Sequence, residues 1–276
     1  MSVSKIKNLI LLILLLAVAC LLPAVVPTQA ARINSEKAMH EKLAELYASY
    51  GLDVDADSLP ASATLYTIEL SEPDGTTAAQ ALLGSGAALQ QDASTSFVSI
   101  YAAGGSQLSL SRSGSLSARL EGQGESRDLL RTTKRLLRAM DFEVAEISDP
   151  AREAAGVYCV SAVQGLLGVP VFESALVFTY RNDVLYSVDG TYYPAADVVR
   201  TSQEPCISCA DALVALLASR DQLGWVGGQI TAVTQGYIHS ETASSAMRFV
   251  PVWRIDTDAG SFYVNGMTRE VRQIAA

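Results

Sequence analysis

The stretch that most limits what this chain can become is the uncharged apolar run from Leu9 to Val26. At about 1.5 Å per residue, a helix of that length spans roughly 27 Å, close to the ~30 Å hydrocarbon core of a bilayer. It exceeds the apolar region of a typical cleavable signal peptide, roughly 7–15 residues. Lys5 and Lys7 precede it and only Arg32 follows closely, a bias that places the short N-terminus in the cytoplasm and everything beyond outside. Two other readings compete. Thr28-Gln29-Ala30 offers small residues at a cleavage position, and Ala17-Val18-Ala19-Cys20 has a faint lipidation pattern. After Cys20, however, come five more apolar residues and a proline, where a lipoprotein would turn polar. An uncleaved single-pass anchor is the expectation, which divides the chain into a cytoplasmic 1–8, an anchor 9–26 and extracytoplasmic units 27–123 and 124–276. The boundary between the last two falls at Gly122-Gln123-Gly124.

Charge excludes one large class of function. Twenty Lys and Arg, two of them ahead of the anchor, stand against 29 Asp and Glu, for a net charge of −9. So acidic a body is repelled by nucleic acid phosphates and by anionic lipid headgroups, and nucleic acid is not an expected partner. Cys159, Cys206 and Cys209 are the cysteines outside the anchor, an odd number and too few for a disulfide scaffold. Ordinary packing must hold the core.

Periodicity supplies the element order. Met39, Leu43, Leu46, Tyr47 and Tyr50 fall on one side of a helix over 34–50, expected to form a stalk that docks on the first unit. A strand is expected over 65–70, a short helix over 76–83, and a meander over 96–102, 107–111 and 115–120. Leu129, Thr133, Leu136, Leu137 and Met140 mark a second amphipathic helix. Strands follow over 157–164, 171–180 and 184–193, the last two joined by an Asn182-Asp183 hairpin turn. A third helix starts near Cys209, where Ser208 and Asp211 have capping-box spacing. Strands over 229–239, 247–256 and 260–264, with a short piece at 269–274, close the chain. Helix followed by strands, three times over, predicts an α+β fold of helix-plus-antiparallel-sheet units behind one transmembrane helix.

Catalytic signatures are sparse. His40 and His239 stand apart from any nucleophile in sequence, and neither a Gly-x-Ser-x-Gly elbow nor a phosphate-binding glycine loop occurs. Asp53, Asp55 and Asp57 lack the glycine and terminal glutamate of a calcium loop. No cofactor and no metal site is expected. Cys206-Ile207-Ser208-Cys209 is the sharpest local motif. It is read as a local disulfide or two packed thiols at a helix start, with thiol–disulfide oxidoreductase chemistry at Cys206 and Cys209 as the enzyme alternative. Arg127, Arg131, Arg135 and Arg138, with Lys134 beside them, form a basic stripe on an otherwise acidic body. If it is more than a solvated face, it is a docking surface for an acidic partner or for the neighbouring unit.

The stretch Val250–Gly266, VPVWRIDTDAGSFYVNG, has a Pro-x-Trp strand, a polar turn, an aromatic return strand and a small turn. This resembles the closing hairpin of YycI-type regulatory proteins and of the related YycH and PepSY-like domains. The paired strands beginning Val169-Pro170-Val171-Phe172 are similar to theirs as well. Arg269 stands where those proteins commonly carry a glycine after the threonine of the last turn, here Thr268, so that turn is expected to be built differently. Trp253 is expected to pack against Phe262 or Tyr263 across the hairpin. The resemblance implies a non-catalytic, single-pass accessory protein. It would contact a YycG-like sensor histidine kinase through anchor helix and outer domain, with a YycH-like sister protein as a further candidate partner. A PepSY-like protease-inhibitory or envelope-assembly role is the alternative within the same resemblance.

Overall fold

The computed structural model describes residues 35–70, 74–92, 97–122, 124–194, 198–240 and 247–274; the expected anchor over 9–26 lies outside them. Among the described residues no helix is long and apolar enough to cross a membrane.

The fold is α+β, with one extended, mixed sheet and few helices. Helix α1 covers 35–49. After a 3₁₀ turn at Ala56–Ser58 come β1 (Ile68–Leu70), α2 (Thr76–Leu83) and the meander β2 (Ala88–Gln91), β3 (Val98–Ala103), β4 (Ser106–Ser111) and β5 (Ser115–Arg119). Helix α3 (Leu129–Ala139) precedes β6 (Val144–Ile147), β7 (Ala151–Ala154), β8 (Val157–Leu166), β9 (Val169–Arg181), β10 (Val184–Thr191) and β11 (Val198–Arg200). Helices α4 (Cys209–Ala218) and α5 (Arg220–Leu223) lead into β12 (Ile230–Ser240), β13 (Met247–Thr257), β14 (Gly260–Asn265) and β15 (Val271–Gln273).

The main strand order is β11-β1-β13-β12-β9-β10-β5-β4-β3-β2, with β8 on β9, β6 and β7 on β8, β14 on β13, and β15 on β14. Every pairing between these strands is antiparallel except β12 on β9, which are parallel and meet at the single register Tyr237–Val171. The three sequence units therefore fold as two sheet lobes. Pairing runs across position 123, because β5 bonds to β10 and β1 to β13. Leu116 and Ala118 on β5 share a core with Val188 on β10 and Phe178 on β9, and α2 and α3 cover that core through Ala78, Leu82, Leu137 and Met140.

The second core explains where α1 goes. Leu43, Tyr47 and Leu52 pack with Leu213 and Leu216 of α4 and with Trp253, Ile255, Phe262 and Val264 of the β13–β14 hairpin. The stalk thus lies on the lobe built by the end of the chain, not on the meander β2–β5 that follows it in sequence. The core face of that meander is already occupied by α2 and α3, whereas α4 alone leaves part of the β13–β14 face to be covered. Local chemistry sets both helix starts. The Asp128 carboxylate accepts from the Arg131 amide to cap α3, and Ser208 accepts from the Asp211 amide to cap α4. Asn182 and Asp183 both have positive φ, 49° and 63°, the geometry that a two-residue hairpin with the strands' own twist requires.

Where the two lobes meet, Gly236 of β12 lies against β9. A Cβ on it would run into the Pro170 carbonyl and the Phe172 ring. The close approach of the two strands depends on that missing side chain.

Candidate functional site

Three surfaces carry the residues that sequence singled out. The first is α3. Thr133 and Leu137 face the core, and the Thr133 hydroxyl meets Tyr180 Oη at 2.8 Å. This fixes the rotation of the helix and turns Arg131, Lys134, Arg135 and Arg138 outward, with Arg127 just ahead of the cap. All five cations are exposed, and none makes an ion pair among the described residues. The neighbouring lobe does not cover them. Asp128 is the acid among the described residues that line this face, and its carboxylate is committed to the helix cap at 2.9 Å.

The second surface is the start of α4. Cys206 and Cys209 are free thiols, as is Cys159. Cys209 is fully buried, its amide donating to Ser62 Oγ at 3.0 Å. Cys206 is half-buried, its backbone held by the Leu65 carbonyl at 2.7 Å. It opens on a cavity of about 350 Å³ whose lining includes Glu36, His40, Ser62 and Ser208. The structure thus brings His40 and Cys206 to one cavity, from opposite ends of the sequence. No local pattern could have signalled it, since the pairing depends on α1 crossing to α4. The electrostatics do not favour thiol chemistry. Burial pushes the Cys206 thiol above its ordinary range, only partly opposed by the Gln235 and Trp253 side chains. Burial, with Glu36 nearby, pushes Cys209 up to about 12. A nucleophilic or redox-active thiol needs the opposite shift.

The third surface is the outer side of α1. Leu43 and Tyr47 are 4% and 0% exposed, while Met39, Leu46 and Tyr50 are 54%, 39% and 58% exposed. At roughly 100° per residue, Met39, Leu46 and Tyr50 lie within about 40° of one another, beside the arc that holds His40, Leu43 and Tyr47. The apolar arc of α1 is wider than the lobe beneath it can cover, and its free edge is an apolar stripe along the helix.

The remaining sequence signals are structural. Trp253, Phe262 and Val264 share the core beneath α1 and α4, and Trp253 Nε1 donates to the Ile207 carbonyl at 3.0 Å. Tyr263 points to the opposite face, its ring 5.5 Å from Phe172. Trp253 therefore packs with Phe262 and not with Tyr263, as the alternation along β14 demands. His239 lies 5.7 Å from both the Tyr193 and Phe249 rings. Asp55 caps the 3₁₀ turn and Asp57 faces Lys37 at 3.5 Å. Among the described residues no cluster of His, Cys, Asp and Glu could hold a metal ion. Arg269 has φ 65°, a left-handed conformation, with its amide on the Asn265 carbonyl at 2.9 Å. The turn thus takes the backbone shape a glycine would favour, with arginine bearing the strain.

No family model and no curated protein matches the chain. Eleven solved chains match it, among them two that align with most of its length. An uncharacterized protein from Eubacterium rectale is 11% identical with a TM-score of 0.42, over 77% of this chain and 86% of that one. The YpeB C-terminal domain of Bacillus megaterium is 9% identical with a TM-score of 0.36, over 75% of this chain and 100% of that one. At such scores neither likeness bears on what this chain does.

Proposed function

We propose that the chain is a non-catalytic, membrane-tethered regulator outside the cytoplasm that acts by contact with a sensor histidine kinase. The observation that carries the reading is the exposed apolar stripe of Met39 and Leu46 on α1 and Tyr50 in the turn directly after it. This helix begins within nine residues of the end of the Leu9–Val26 run. A helix leaving the bilayer with a bare apolar edge is suited to pack sideways on a helix of another membrane protein, in the helix-against-helix mode of recognition. Contact made there biases which conformation of the partner is populated. The resemblance of the Val250–Gly266 hairpin to YycI-type and PepSY-like proteins supplies the class of partner. The raised thiols at Cys206 and Cys209 weigh against the oxidoreductase alternative.

Purification of the full chain from native membranes in mild detergent tests the reading. A histidine kinase in the eluate, lost when Met39 and Tyr50 are both changed to Glu, is the expected result. A peptidase in its place would move the assignment to the protease-inhibitory alternative.

A further inference from the structure

The basic face of α3 is a second contact surface of different chemistry. Arg127, Arg131, Lys134, Arg135 and Arg138 are exposed together on a chain whose net charge is −9, and no acid of the described fold pairs with any of them. A surplus of acids was available to neutralise them, yet the one acid lining this face, Asp128, is committed to the helix cap. We propose that this face docks on the anionic phosphates of the bilayer surface to which the chain is tethered, so that the acidic body lies with α3 toward the lipid.

Three observations favour lipid over an acidic protein. The face carries no exposed large apolar side chain: those of the described chain fall on other elements. Protein interfaces place aromatic or aliphatic anchors at their centre and deplete charge there. Four of the five cations are arginines, whose planar fork takes phosphate oxygens two at a time. Arg131 to Arg138 also span about 10 Å along the helix axis, so a flat charged surface can meet all of them at once. Attraction of this kind falls off within a Debye length, about 8 Å at physiological salt. The repelled acidic remainder of the body, lying farther out, is therefore screened while α3 is held. Each cation near such a surface strengthens binding roughly five-fold, too little for a free protein to remain bound but enough to orient a tethered one. The proposal rests on the membrane-tethered reading above.

The test uses the full chain reconstituted into vesicles of neutral phosphatidylcholine, or of phosphatidylcholine with phosphatidylglycerol, with no other protein present. Modification of arginines by phenylglyoxal is followed residue by residue by mass spectrometry, with exposed Arg152 as the internal reference. The expected result is that Arg131, Arg135 and Arg138 react roughly five-fold more slowly on the anionic vesicles. High salt should abolish the difference, and Arg152 should not change. In an Arg131→Glu, Arg135→Glu variant, Arg138 should lose its protection. Equal rates on both vesicles overturn the proposal, as does protection that appears only when an acidic protein is added. Extraction of the chain by alkaline carbonate from both vesicles would instead remove the tether, and a chain that stays in the bilayer with unprotected arginines removes the docking alone.

Discussion

Tyr47 of α1 donates its hydroxyl to the carbonyl of Leu213 in α4 at 2.7 Å, with Tyr47 fully buried. That bond, with Leu43 beside it, sets the rotation of α1 and decides that Met39, Leu46 and Tyr50 are the residues left outside. Removing the hydroxyl in Tyr47→Phe should cost about 1 kcal/mol of stability, the ordinary net worth of such a bond. Met39→Glu should stay within about 0.5 kcal/mol of the parent, because Met39 is 54% exposed at the open rim of the cavity that Cys206 lines. Urea titrations of the two variants would read the contrast. A destabilised Met39→Glu would mean the stripe is covered by the protein itself.

Gly236→Ala addresses the seam between lobes. Its methyl group meets both the Pro170 carbonyl and the Phe172 ring, so overpacking of about 1–3 kcal/mol is expected. Hydrogen exchange should then rise first around Val171 and Tyr237, where the two sheets share their one parallel register. Uniform exchange across both lobes would show the seam to be less local than the pairing suggests.

Arg269→Gly should raise stability by up to about 1 kcal/mol, since φ 65° is strained for any residue with a Cβ. The ion pair of Arg269 with Asp211 at 3.6 Å is exposed on both sides and contributes little against that gain. A lowered melting temperature would assign the arginine a role the turn does not reveal.

Alkali should unfold the protein through groups held neutral by burial. Burial raises the pKa of Cys209 to about 12 from 9.0, and those of Tyr193 and Tyr237 to about 12 from 10.0. Because the folded values lie above the unfolded ones, their contribution is complete below pH 9 and is lost as pH climbs toward 12. Among the described cysteines, alkylation in the native state should be confined to Cys206 below that window and reach Cys209 only within it. Rapid labelling of Cys209 at neutral pH would contradict its placement.

Much of this architecture was legible because buried faces write a period into the sequence. The hairpin at Asn182-Asp183, the cap at Ser208, and the alternation along β8, β9, β12 and β13 all lie where residue type predicts them, whereas the Asp128 cap of α3 was not read from the sequence. The strands that sequence missed, β2, β6, β7 and β11, have almost every residue exposed, so neither face carries an apolar signature. They are held by backbone pairing to a neighbour, which leaves no trace in side-chain type. The candidate surfaces divide the same way. The arginine stripe is visible at helical spacing, whereas the cavity shared by His40 and Cys206, and the bare edge of α1, arise only because α1 crosses to a lobe built far along the chain.

A photo-crosslinking residue at position 50, in place of Tyr50, would interrogate the exposed stripe in the full chain within its native membranes. An adduct with a sensor histidine kinase, mapping to the kinase's helix next to the bilayer and absent when the crosslinker replaces buried Tyr47, is the result expected. Adducts confined to lipid or to a second copy of this chain would contradict regulation of a kinase by lateral contact.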